Sequence, residues 1–214
     1  MLFSTDVDLV RHEPSLHAEV GFASQRLWGP APAVLLESGT IIQGLGELEF
    51  NDWVGSVLLV DGVPFEVTGH NTGFVQVSRI RQLGDPILIG SERPVSVPIT
   101  AELQWFGPQR DLAYRQILAM LGLCAQGAPG DGPDASVIVN RESLRLLETY
   151  GALHLIYAAG ASAASEESAL WSKAQLYRVR YARERERVAV ELDLDGDGMA
   201  EVIRRPSVVH LVRG

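Results

Sequence analysis

The sequence predicts an α+β protein. It reads as a C-terminal helical bundle, a small antiparallel β-barrel or sandwich inserted after an N-terminal helix, and a C-terminal β-hairpin and strand. Three observations carry this. Apolar residues fall at helical spacing in the first thirty residues and again across residues 101–187. Between 31 and 100 that spacing gives way to short β-rich runs bounded by turn residues. The stretch VAVELDLDGDGMAEVIRR then returns to period two around an Asp/Gly comb. The expected domains are residues 1–30 with 101–187 as a helical core, 31–100 as the inserted β domain, and 188–214 as hairpin and tail.

The elements follow in order. Residues 5–28 read as one helix: Pro14 suits a first turn, Leu16, Val20, Ala23 and Leu27 share a face, and Gly29-Pro30-Ala31-Pro32 stops it. VLLVDGVPFEV (57–67) is the strongest hairpin signal, with Asp61-Gly62 at the turn. Phe74–Ile80, Pro86–Gly90 and Pro94–Thr100 offer further short strands, with prolines suited to edges or strand starts. Residues 108–124 return to helix with a stripe of Tyr114, Ile117, Leu118 and Leu121, followed by a Gly/Pro/Asp loop at 125–136.

A third helix is expected over 140–161, with Asn140 as N-cap and apolar residues on two opposite faces, the mark of a helix buried between partners. A fourth starts near Ser165. Its stripe of Leu170, Ala174, Tyr177 and Tyr181 packs it on its own chain. A weaker stripe, Ala169, Leu176 and Val179, has no use in a lone protomer and points to a subunit contact.

The 214 residues carry a formal net charge of −9, so overall charge does not favour wrapping nucleic acid. Arg178, Arg180, Arg183, Arg185 and Arg187 make one local basic run, interleaved with Glu184 and Glu186. One cysteine, Cys124, excludes an intrachain disulfide and reads as a small buried hydrophobe. The N-terminus lacks the basic and apolar regions of a secretory leader. The Ala/Leu-rich stretch near 150–164 carries His154 and reads as a buried helix, not a membrane span.

Enzyme constellations do not emerge. GxSxG, GxxxxGK[ST], HExxH and CxxC patterns are missing, and GLGELEF (44–50) lacks the third Gly of a dinucleotide fingerprint. His12, His17, His70, His154 and His210 are scattered, and His154 reads as a hydrogen-bonded core residue. No catalytic residue, cofactor or metal ligand is assigned.

The Asp/Gly comb has two readings. Asp193, Asp195, Asp197 and Gly198 match positions one, three, five and six of a calcium loop, but position twelve is Arg204, which cannot ligate a cation. The favoured alternative is a hairpin. Val188, Val190 and Leu192 form the outgoing strand, Gly196 and Gly198 turn it, and Val202–Arg204 return.

Three stretches resemble the head–tail connector (adaptor or neck) proteins of tailed bacteriophages and gene-transfer particles. They are the FxPQR helix start at Phe106 and Pro108–Arg110, the NxExLRxL helix running into LxLIYAA over Asn140–Ala159, and the KAxLYRxRYxxE helix passing into LDLDGDG over Lys173–Gly198. Together they span about the second half of the chain; the β insertion departs from the minimal helical adaptor. The resemblance implies a non-enzymatic virion protein, assembled in the host cytoplasm. Its copies would form a ring, usually dodecameric, under the portal protein, extending the DNA channel without sequence-specific DNA binding and docking the tail or tail-terminator protein. The acidic net charge suits a channel in which DNA slides. The terminal strand Pro206–Gly214 suits addition to a neighbour's sheet or docking on the portal. The competing readings are a calcium-dependent binding module, a tail-completion or terminator ring protein, and a small hydrolase.

Overall fold

The computed structural model describes residues 2–21, 25–36, 41–43, 53–71, 74–80, 97–125, 132–162 and 168–206. The expected Pro86–Gly90 strand and positions 207–214 of the terminal strand lie outside them. The fold is α+β, with antiparallel sheet. The chain divides into two compact units, Thr5–Phe106 and Met1–Ser4 with Gly107–Gly214. This partition differs from the domain scheme expected above. Residues 5–30 group with the strands, and the C-terminal hairpin groups with the helices.

The N-terminal reading needs correction. Instead of one helix over 5–28 there are two short ones, α1 (Asp6–His12) and α2 (Leu16–Glu19). A reciprocal capping box starts α1: Asp8 N–H donates to Thr5 Oγ1, and Thr5 N–H donates to Asp8 Oδ2. Pro14 then ends it, because the residue before proline is driven out of helical geometry. Glu13 sits at φ −140°, ψ 84°. Val7 and Val10 of α1 pack on Val57, Leu59 and Ile80, which ties the segment to the strands.

Gly29-Pro30-Ala31-Pro32 is also not a helix stop. It lies inside β1 (Arg26–Leu36), where Ala31 pairs with Ala101 and Pro32 with Thr100. Gly29 has φ +84°, and a Cβ there would meet the Ala101 carbonyl oxygen at 2.5 Å. Only glycine fits both demands.

The remaining strands of this unit are β2 (Ile41–Gln43), β3 (Val57–Val60), β4 (Val63–Asn71), β5 (Phe74–Arg79) and β6 (Val97–Gln104). They pair in the order β1-β2-β5-β4-β3-β6, all antiparallel, and β6 pairs back onto β1. The β3–β4 hairpin turns at Asp61-Gly62, both with positive φ, as the tight primed turn requires. β3 is apolar at every position because both its faces are covered. Leu58 and Val60 join Val67, Val75, Val77 and Leu103 in one cluster, while Val57 and Leu59 meet α1.

In the other unit, α3 (Gly107–Leu121), α4 (Arg145–Ala161) and α5 (Ala169–Arg187) are the main helices. α4 lies between the other two. A Cβ at its Gly151 would come 3.2 Å from Ala113 of α3 and 3.1 Å from Tyr181 of α5, so a missing side chain permits the close approach. Tyr157 of α4 stacks on Tyr177 of α5 at 5.7 Å. The expected two-faced burial of this helix is met by its own neighbours. His154 Nδ1 lies 3.1 Å from the Ala174 carbonyl oxygen, so the expected hydrogen bond is present, but the residue is half-buried rather than in the core. Cys124 is half-buried rather than buried.

Two expected helix starts move. Residues Arg141–Leu144 form a 3-10 turn before α4, and Asn140 makes no side-chain cap to it. The cap of α5 is Ser168, whose hydroxyl accepts the Trp171 N–H.

A buried carboxylate fastens the chain's beginning to α4. Glu148 accepts Phe3 N–H at 2.9 Å, Ser4 N–H at 3.0 Å and the Ser4 hydroxyl at 2.6 Å. Arg110 Nη1 donates to the Ser4 carbonyl at 2.7 Å. Burial raises the Glu148 carboxyl above its usual range, against the opposing pull of these hydrogen bonds and of Arg110. Glu148→Ala strands three buried donors. The expected cost is about 2–4 kcal/mol, read as a lower urea midpoint; an unchanged midpoint contradicts the anchor.

His17 of α2 places Nδ1 2.7 Å from Gln104 Oε1 and rests on the Phe106 ring. Burial holds its imidazole below the usual range, with Gln104 and Glu102 opposing. The unfolded chain takes up this proton at about pH 6.5 and the folded chain resists it, so His17 costs stability as pH falls below that value. Thermal midpoints taken from about pH 7.5 to 5.5 should fall less steeply in His17→Asn than in the parent. Equal slopes contradict this.

Candidate functional site

Two surfaces of the helical unit carry the chemistry, the turn of the C-terminal hairpin and the outer face of α5. The hairpin is built as expected: β7 (Val190–Leu192) pairs antiparallel with β8 (Val202–Arg204), with Leu192 opposite Val202. Val190 and Leu192 point into the core with Ile138 and Leu147, and Glu191 between them is exposed. Neighbouring backbone extends the ladder. Val139 N–H donates to Glu191 O at 2.9 Å, and Asp193 N–H to Val137 O at 2.8 Å. Asn140, expected as a helix cap, instead clamps β7. Its Nδ2 donates to Ala189 O, and its Oδ1 accepts Glu191 N–H, both at 2.9 Å.

Between the strands the acids fold the turn. Asp193 accepts Gly196 N–H at 2.6 Å and Gly198 N–H at 2.8 Å through its two oxygens. Asp195 accepts Asp197 N–H, Asp197 accepts Met199 N–H, and Glu201 accepts Leu194 N–H. Gly196 and Gly198 stand at φ +83° and +88°, where a side chain would be strained.

The result is convergent. One carboxylate oxygen from each of Asp193, Asp195, Asp197 and Glu201 lies within 4.8 Å of the others, the metal-capable group among the described residues. Counted from Asp193, these are positions one, three, five and nine of a calcium loop, and Met199 would supply the backbone carbonyl of position seven. Glu201 escaped sequence reasoning, which looked for a ligand at position twelve; its spacing from Asp193 was the available signal. Arg204, at that twelfth position, donates to the Leu121 carbonyl instead. Such a group suits a hard divalent cation, whose charge would offset the mutual repulsion of the carboxylates.

On α5, Ala174 and Tyr177 are buried, whereas Trp171, Leu176 and Val179 are exposed, the last two at 44% and 47%. Ala169, Leu176, Val179 and Arg183 follow one another at helical spacing along this outer face. Arg178, Arg183 and Arg187 are exposed beside them. The inner cations are engaged with rings: Arg180 lies over Tyr177 and Tyr150, and Arg185 over Tyr181.

His12, His17 and His70 fall in the strand-bearing unit and His154 in the helical one, while His210 lies outside the described residues. No helix among the described residues is long and apolar enough to cross a membrane. Compared with family models, curated proteins and solved structures, the chain has no match.

The turn geometry gives an unequal mutational series. Asp193 accepts two backbone donors and Asp195 one. In chelator, Asp193→Ala should therefore lower the thermal midpoint by about 2–4 °C, and Asp195→Ala by less. Equal effects contradict the hydrogen-bond assignment.

Proposed function

We propose that this chain is a structural protein of the neck of a tailed bacteriophage or gene-transfer particle. In this reading its copies form a ring between portal and tail, extend the DNA channel and offer the tail a docking surface, without catalytic turnover. The observation that carries it is the outer face of α5. Two large apolar side chains, Leu176 and Val179, stay exposed along a helix whose inner face is packed. Exposed apolar rows of this kind suit association with another surface. The contribution of α4 is smaller than the sequence implied, because its apolar faces are largely covered within the chain. The closed order of strand pairing suits a small barrel carried by each subunit. The net charge of −9 suits a channel that DNA must traverse without sticking.

Electron imaging of particles that contain this chain tests the proposal. The expected result is density for the helical unit in a ring at the portal. A position at the distal end of the tail favours a terminator ring, and absence from particles overturns the reading.

The convergent carboxylates favour a second reading, a calcium-dependent binding module. Calorimetric titration with calcium should then show binding that is abolished by the combined Asp193→Asn and Glu201→Gln substitutions, together with a chelator-reversible rise in thermal midpoint. A flat titration at millimolar calcium excludes it.

A further inference from the structure

The outer face of α5 and the C-terminal hairpin are complementary to each other, and each is exposed in the single chain. Of the five arginines in residues 178–187, Arg180 and Arg185 face tyrosine rings, and the exposed charges are Arg178, Arg183, Arg187 and Glu186, a formal +2. The hairpin, residues 190–204, holds Glu191, Asp193, Asp195, Asp197 and Glu201 against Arg204 alone, a formal −4. Each patch also bears large exposed apolar side chains, Leu176 and Val179 on the helix, and Leu194, Met199 and Ile203 on the hairpin, with Met199 at 68% and Ile203 at 67%. The helix has 19 residues, so this face is about 28 Å long.

We propose that the outer face of α5 in one copy of this chain binds the acidic hairpin of the next copy, head to tail. This deepens the ring reading above and rests on it. Charge decides the orientation. Helix face against helix face sets the exposed arginines of one copy against those of the other, and hairpin against hairpin sets carboxylates against carboxylates. Both two-fold pairings bring like charges together at close range. Pairing the unlike patches joins opposite charges and covers both apolar rows. A contact between two different patches leaves one of each open at the ends, so it propagates until a ring closes.

The test uses the full chain in two variants. Leu176→Ser with Val179→Ser alters the helix face, and Met199→Ser with Ile203→Ser alters the hairpin. All four positions are exposed, and circular dichroism and thermal melting check that both variants fold. Sedimentation should show self-association of the parent that weakens between about 0.1 and 0.5 M salt. Each variant alone should be weaker by about 100-fold. An equimolar mixture should give a 1:1 dimer, because each partner keeps the patch that the other lacks. A parent that stays monomeric at about 0.1 mM, a variant that associates as the parent does, or a mixture that stays monomeric overturns the inference. A neck ring whose contacts avoid α5 also overturns it while leaving the neck reading standing. Head-to-tail association of a protein absent from the neck does the reverse.

Discussion

Carboxylates organise the start of this chain. An irregular N-terminal segment brings backbone N–H groups that no helix or strand satisfies. Three in succession are taken by acid side chains: Phe3 and Ser4 N–H by Glu148, and Thr5 N–H by Asp8. The passage from the first unit into the second falls between Ser4 and Thr5. The return passage is treated similarly, since Phe106 N–H reaches Asp6 Oδ2 at 3.4 Å. Burying Glu148 is unfavourable on its own; saturation of its oxygens and the nearby Arg110 offset that cost. The middle of α4 thereby becomes the fixed point for the chain's beginning.

Much of the architecture was legible because it obeyed local rules. The Asp61-Gly62 hairpin, the α3 stripe and the return strand Val202–Arg204 follow from turn chemistry and period. The N-terminal helix was misread because apolar spacing over 16–27 outweighed the break that Pro14 imposes. The GPAP run looked like punctuation; in fact Gly29 admits the β6 backbone at close range. Long-range partners leave little trace in a single sequence. Glu148 sits within an apolar helix face, a signal available but unused, whereas nothing near Asn140 announces that its amide serves β7.

The acidic comb shows how one stretch supports two chemistries. Its carboxylates accept the turn's own N–H groups, which accounts for the fold without a cation. The same arrangement gathers four carboxylate oxygens, which is what a cation demands. Sequence position alone did not separate these readings, because the fourth acid, Glu201, comes from the residue just before β8 rather than from the twelfth position of the loop. The cationic outer face of α5 stands in contrast. Its inner arginines are spent on tyrosine rings, leaving Arg178 and Arg183 outward.

Asn140 carries a consequence of its own. Its amide offers one donor and one acceptor, the complement of a peptide group, and it bonds β7 as a neighbouring strand would. On that edge the main chain of Val137 and Val139 bonds Asp193 and Glu191 directly, and the Asn140 side chain carries the pairing on to Ala189 where the backbone turns away into the helix. One side chain thus lengthens a ladder by a rung without the cost of another strand residue.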